Sequence, residues 1–293
     1  MGSLFFTSVE LGLLYAIVVL GVFLTFRILN FPDLTVDSSF VLGAAVTTIL
    51  IRNGMPGILS IFVGFMAGFL GGSLTAILHT RLGIGKILSG ILSMSILYTI
   101  NLRLMNGPNV SLLNQPRIIE IFKIPTNHFY LTLFLIIVVL TIKFFIDWFL
   151  QTEFGLWLRA TGNNEITSQS FSINTKLTKF VGIGISNGLV GLAGGLITQY
   201  QGFSDINMGV GTVILSLAAL MLGEALTSKN KIPILTFVIV VGSILYQLIV
   251  NIALQLGLAG SDLKLITALI VIISLLIGGK NKYQFYEKKL FNN

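Results

Sequence analysis

The chain has 293 residues, of which 54% are hydrophobic and only 10% charged, against roughly 25% charged in a soluble domain, and its apolar runs reach the roughly 20 residues that cross a bilayer. Composition therefore excludes a soluble globular protein, and runs this long exclude a β-barrel, whose segments are short and alternating; the sequence predicts an all-α, polytopic transmembrane helical bundle in a single domain, 1–293. The formal net charge of +7 reads as basic decoration of loops on one side of the membrane rather than as a nucleic-acid surface, and the absence of cysteine removes disulfides, thiolate metal sites and cysteine nucleophiles.

About nine crossings, within a range of eight to ten, follow in chain order: 8–29, 37–53, 55–78, 85–104, 128–150, 177–200, 207–226, 232–256 and 263–279. The start MGSLFFTSVE has neither the basic region nor the small-residue cleavage site of a signal peptide, so the first run is expected to remain as a helix. Phe6 stands where an N-myristoylation pattern after Gly2 requires Ser or Thr. The second and seventh crossings are short, as broken helices of transport pathways are.

With the C-terminal tail 280–293 placed inside, the inner loops and nearby helix ends hold Arg27, Arg81, Lys86, Lys143, Arg159, Lys176, Lys179, Lys229 and Lys231 besides four tail lysines. The outside then holds Arg52, Arg103, Arg117, Lys123 and Lys264. This is the positive-inside bias, and an odd number of crossings puts the N-terminus outside. The longest outside loop, 105–127, is broken by Pro108, Pro116 and Pro125. It either receives an external partner or is an ordinary connector.

Phe31-Pro32-Asp33-Leu34 after the first crossing is echoed by Phe203-Ser204-Asp205-Ile206 after the sixth, and Gly12-Leu13-Leu14 by Gly188-Leu189-Val190. The two units lie five crossings apart, so the echo predicts inverted repeats of helices 1–4 and 6–9 joined by helix 5. Gly68 with Gly72 and Gly191 with Gly195 form G-x-x-x-G pairs, which allow close helix approach within one subunit or across a dimer.

Enzymatic signatures are missing. Gly83-Ile84-Gly85-Lys86 is followed by Ile87 and lacks the upstream glycine of a Walker A loop. No nucleophile–base pair stands out, so no catalytic residue is expected. His79 and His128 fall at predicted helix ends, outside any metal-ligand spacing. Strongly polar residues near membrane depth are few. Asp33 and Asp37 are expected at the inner entrance of helix 2, Asn101 near the outer end of helix 4, Gln199 and Asn207 at the corner of helices 6 and 7, and Glu224 near the inner end of helix 7. These six are candidates to line a translocation path, although residues of this kind are more often caps or interfacial positions than substrate ligands. No chain of mid-helix carboxylates is evident, unlike an ion-driven carrier, so energy is expected from elsewhere.

The polar segment 155–179, GLWLRATGNNEITSQSFSINTKLTK, interrupts two strongly apolar runs. A helical start meets Gly162 and Asn163, a natural stop. Asn164 is placed to cap a second short helix from Glu165 to Phe171, and Ser172-Ile173-Asn174 turns the chain into helix 6. Such a helix lying on the membrane face suits a groove on a cytosolic partner; spacing alone allows a plain connector equally.

This segment with the small-residue run that follows it, LRATGNNEITSQSFSINTKLTKFVGIGISNGLVGLAGGL, resembles the loop-and-helix signature of permease subunits of ATP-binding-cassette (ABC) importers, the branched-chain amino acid and ribose type. Gly155, Arg159, Ala160, Gly162 and Asn164 match the G-x-x-x-R-A-x-G-x-N pattern and Ile173-Asn174 its second part, while Phe171-Ser172 departs from the usual Leu-Gly or Ser-Gly. Further segments across most of the chain, among them QYQGFSDINMGVGTVILSLAALMLGEAL, are similar to the subset associated with tryptophan or tyrosine uptake.

The resemblance implies a multi-pass permease of the bacterial plasma membrane with a cytoplasmic C-terminus. It implies a second copy of the chain, a cytosolic ABC ATPase that carries the ATP and Mg, and an extracytoplasmic binding protein or lipoprotein. No cofactor is expected on this chain, and membrane lipid but no nucleic acid among its contacts. The cargo implied is a small polar solute, an amino acid first and aromatic ones included. Gly155, Arg159, Ala160, Gly162, Asn163, Asn164, Ile173 and Asn174, within loop 151–176, are implied to form the ATPase-coupling element. Arg159 then either pairs with an acidic group on the ATPase or anchors the loop to its own chain. An ion-gradient-driven carrier acting alone, and a membrane enzyme or scaffold, are the other readings.

Overall fold

The computed structural model describes residues 2–113, 115, 128–227, 229, 231–257, 262, 265–270 and 272. In chain order these form α1 (Gly2–Val22) with a π-helical extension (Phe23–Ile28), α2 (Val36–Arg52), α3 (Gly57–Thr80), α4 (Lys86–Met105), β1 (Asn109–Ser111), α5 (His128–Gln151), α6 (Glu153–Asn163), α7 (Glu165–Ser170), α8 (Thr175–Gln201), β2 (Phe203–Asp205), α9 (Thr212–Ala225) and α10 (Ile232–Gln255). Among the described residues, α1 with its extension, α3, α4, α5, α8 and α10 are long and apolar enough to cross a membrane. At 17 and 14 residues, α2 and α9 are shorter.

The chain is a helical membrane bundle, and eight of the nine expected crossings appear as helices. The crossing expected over 207–226 starts only at Thr212, because turns fill residues 206–211 and end at Gly211 with φ 89°. Loop 151–176 is largely helical, since α6 begins two residues after α5 ends. The ninth crossing, 263–279, lies outside the described residues except for 265–270, which are helical, and 272. Most of loop 105–127 and the whole tail 280–293 also lie outside them. Before that gap, β1 pairs antiparallel with β2, Val110 opposite Ser204, as a three-residue clip at one end of the bundle. The opposite end carries α6 and α7.

Helix α1 is apolar all round and therefore buried: Leu13, Leu14, Ala16, Ile17, Val18, Val19 and Leu20 are all enclosed. Beside it runs α8, which forms a seam with α2 and α3. A Cβ on Gly68 or Gly72 of α3 would strike the carbonyls of Asn187 or Ile183, and one on Gly43 of α2 would strike that of Gly191. Since Gln199 bonds the carbonyl of Gly57 at one end and Gly72 meets Ile183 further along, α3 and α8 run antiparallel. Backbones meet directly because lipid supplies no hydrophobic drive and close packing of small residues must hold the helices.

For the first three helices of each expected repeat unit the packing corresponds, while the fourth helix of the second unit lies largely outside the described residues. Helix α1 packs on α10 as α8 packs on α3, and α2 packs on α3 as α9 packs on α10. Each unit has a long helix, a turn, a short helix and a long helix, and the two run in opposite directions. The turns match in detail: Asp33 Oδ1 accepts from Thr35 N at 2.9 Å, and Asp205 Oδ1 accepts from Asn207 N at 2.7 Å. Each is an Asx turn, in which the aspartate satisfies the backbone two residues on.

The seam gives a direct test. Gly43→Val is expected to destabilise the detergent-solubilised protein by about 1–3 kcal/mol or more, the range for overpacking. Gly85→Ala, whose added Cβ meets nothing within 4 Å, is expected to leave the melting temperature unchanged; equal melting of both variants and wild type would sink the seam.

Candidate functional site

The platform formed by α6 and α7 is built from caps and two close approaches. Thr152 Oγ1 accepts from Gly155 N at 3.3 Å and starts α6. Gly155 lies against the backbone of Phe149 and Leu150, so α6 folds back on α5 without room for a side chain. Further along, Gly162 lies against the carbonyl of Ile28, and Leu158, fully buried, fills the space beside Gly182 and Leu29. The π-helical end of α1 is thereby seated on α6.

Helix α6 ends at Asn163, at the expected Gly162-Asn163 stop. Asn164 is extended, φ −156°, and its Oδ1 accepts from Thr167 N at 3.1 Å, capping α7. Past Ser172, with φ 61°, Asn174 Oδ1 accepts from Leu177 N at 3.1 Å and caps α8. Asn163 is exposed, Ala160 half-buried and Ile173 half-buried. Arg159 is exposed and makes no ion pair among the described residues. Ile166 and Phe171 are 78% and 76% exposed, so the short helix turns apolar groups outward.

A polar cluster ties α7 inward. Lys179 Nζ lies 2.6 Å from Glu165 Oε1 and 3.3 Å from His79 Nε2. Partial burial pushes the Glu165 carboxyl up, but the bonded ammonium outweighs it and holds the group below its ordinary 4.5.

The six candidates for a translocation path do not form one line. Asp33 reaches Asn187, halfway along α8, at 2.6 Å. Asp37 accepts from Gly211 N at 3.0 Å, Val213 N at 2.9 Å and Thr212 Oγ1 at 2.7 Å. It thus sits at the N-terminus of α9, in a position that favours a carboxylate. The two aspartates were expected at the entrance of helix 2; instead residues 29–35 carry the chain back into the bundle, so α2 starts at depth. Asn101 donates to the Ser38 carbonyl at 3.0 Å and is buried. Gln199 bonds Gly57 at the β1–β2 end, Asn207 is exposed there, and Glu224 pairs with Arg27 at 2.9 Å at the other end. Only Asp33, Asp37 and Asn101 gather, around α2.

Buried ionisable groups missed in the sequence are Glu10, Lys143 and Asp147. Glu10 is fully buried and accepts from His128 Nδ1 at 3.2 Å, Thr132 Oγ1 at 3.3 Å and Tyr200 OH at 2.8 Å. Lys143 pairs with Asp147 four residues on, and Thr236 donates to the same carboxylate at 2.7 Å. The i,i+4 spacing was a readable signal; Glu10, whose partners are 118 or more residues away, had none. Each carboxylate is closed by its own neighbours rather than linked into a chain. Among the described residues no cluster suits a metal ion.

A family model described as "Branched-chain amino acid transport system / permease component" matches residues 4–277. A tyrosine transport system permease protein of Clostridioides difficile (strain R20291) is 37% identical over 92% of this chain and 90% of its own length. An uncharacterized protein of Rickettsia prowazekii (strain Madrid E) is 32% identical over 93% of this chain and 97% of its own. A solved inward-facing ABC transporter of metal-chelate type aligns with TM-score 0.45 at 18% identity, covering 97% of this chain and 86% of that one.

The Glu165–Lys179 pair sets an expected pH response. A carboxyl held below 4.5 contributes stability above that pH and loses it as pH falls through the folded-state value. Docking of α7 is therefore expected to stay constant from about pH 8 to about pH 5 and to loosen only in stronger acid. Hydrogen exchange of the α7 amides, corrected for intrinsic rates, checks this, and Glu165→Gln is expected to remove the acid step.

Proposed function

The chain belongs to the branched-chain amino acid transport permease family, a multi-pass membrane component of ABC importers, and on that premise we propose how it works. Two copies enclose the translocation path. A separate cytosolic ATPase, with its ATP and Mg, docks on α6 and α7, and an extracytoplasmic binding protein delivers the solute at the β1–β2 end. This chain catalyses no reaction and holds no cofactor. The solute is an amino acid, aromatic ones included, because the Clostridioides difficile relative is named for tyrosine transport. The α6–α7 end and tail 280–293 face the cytosol of a bacterial cell, in keeping with the basic bias of that side.

The observation that carries this reading is the seat of Gly162 on Ile28. An ATPase that displaces α6 pushes directly on the end of α1, because no compliant side chain lies between them. Gly155, Arg159, Ala160, Gly162, Asn163, Asn164, Ile173 and Asn174 are assigned to this coupling element. Exposed Arg159, Ile166 and Phe171 suit an acidic and apolar groove on the partner. Asp33, Asp37 and Asn101, each engaged within the bundle, are assigned to holding α2 and α9 in place at the edge of the path.

Isolation of the tagged protein from its native cell in mild detergent is expected to bring a P-loop ATPase with it. Vesicles of that complex, supplied with its extracytoplasmic binding protein on the solute side, are expected to take up tyrosine with ATP and to ignore ionophores. Reproducible isolation without an ATPase, with uptake collapsed by ionophores, would instead establish an ion-driven carrier. Gly162→Val is expected to keep the complex assembled but to lower uptake per ATP hydrolysed about tenfold, within the usual range of coupling free energies. Normal uptake by this variant would remove Gly162 from the coupling element.

A further inference from the structure

Residues 79, 165 and 179 lie on three elements, α3, α7 and α8, and converge on one ammonium. Lys179 is in the early part of α8 and its side chain is 9% exposed. Among the described residues it bonds Glu165 Oε1 at 2.6 Å and His79 Nε2 at 3.3 Å. The tautomer of His79 follows from the geometry. Its Nδ1 lies 2.8 Å from the carbonyl of Ile84, which only accepts, so Nδ1 carries the proton. Nε2 then presents a lone pair to an ammonium that only donates. The imidazole is fixed a second time by Phe31, whose ring meets it edge-on at 5.3 Å between centroids. Phe31 belongs to the turn that carries the chain from α1 to α2.

Helix α7 buries one side chain among the described residues, the polar Ser168. Its outward side chains Ile166 and Thr167 are exposed, and it reaches the bundle through Glu165 and through Gln169 Nε2, which donates to Thr175 Oγ1 at 3.1 Å. A buried cation that loses one partner is strongly disfavoured, so α3, α7 and α8 are constrained to move together while Lys179 stays bonded to both.

We propose that Lys179 is a positioning residue for energy coupling, a clasp that hands displacement of α7 to α3 and, through His79 and Phe31, to the turn before α2. This rests on the permease reading above. It places a second route beside the Gly162 seat, with a different destination: the seat drives α1, whereas the clasp drives α3 and the α1–α2 turn.

The test is a double-mutant cycle on the complete transporter, isolated with its own ATPase and reconstituted with its extracytoplasmic binding protein and tyrosine as the probe solute. The readout is uptake per ATP hydrolysed. The wild-type complex must first bind an ATPase and transport on ATP; failure there would overturn the permease reading and the clasp with it. Glu165→Gln and His79→Phe, changes at the two arms rather than at the buried cation, are each expected to lower the ratio about tenfold with ATPase binding unchanged. Because both act through one ammonium, the double variant is expected to be no lower than the worse single, the mark of residues in one network. Single variants that couple like wild type, or losses that multiply in the double, would overturn the clasp while leaving the permease reading intact.

Discussion

Along α8 the carbonyls of Ile183, Asn187 and Gly191 lie against glycines of α3 and α2 so closely that no side chain fits between them, and much of the remaining geometry depends on this approach. In water such a seam would add little to a hydrophobic core. In lipid, where tails are as apolar as leucine, contact between backbones is a main source of helix cohesion. It also fixes register. A shift of α3 by one residue would bring Phe69 or Phe65 onto the seam, where Gly184 and Gly188 now just admit their rings.

That tight three-helix unit leaves α2 short and started at depth, and the rest of the bundle meets the cost of its exposed ends. Backbone groups at a helix start cannot remain unpaired inside a membrane. Asp37, in the first turn of α2, satisfies the start of α9, and Asn187 anchors the turn before α2 through Asp33. The two short helices of the repeat therefore begin beside each other and run apart, tied by one carboxylate. Neither unit is complete alone, which explains why the repeat units interlock instead of forming separate halves.

The sequence revealed what depends on local pattern. Length and hydropathy placed eight helices within a few residues, and the Phe31-Pro32-Asp33-Leu34 echo pointed to a repeat that the Asx turns at Asp33 and Asp205 display. The caps Asn164 and Asn174 were readable because capping needs only neighbours. What escaped depends on distance along the chain. No local signal couples Glu10 to Tyr200, 190 residues away, or Lys179 to His79, 100 away. Asp33 and Asp37 were placed at a surface because a sequence shows that a turn exists but not that the turn folds back into the bundle. The start of α9 moved to Thr212 for a related reason: residues 206–211 are apolar enough to read as helix, yet Gly209 is pressed on the Asp37 carbonyl and Gly211 adopts a positive φ.

The two attachments of the α6–α7 platform differ in what they can transmit. A glycine pressed on a carbonyl resists compression and does nothing under tension, so the Gly162 seat passes a push toward α1 but not a pull. A charge-assisted hydrogen bond resists separation, so the proposed Lys179 clasp would pass a pull from α7 to α3. Under the proposed docking of an ATPase on the platform, a cycle that both closes and reopens would draw on both kinds of connection, one on each platform helix. At the opposite end Glu10 joins α1 to α5 and α8 through His128, Thr132 and Tyr200, and Gly12 of α1 is pressed on the backbone of Ile244 in α10.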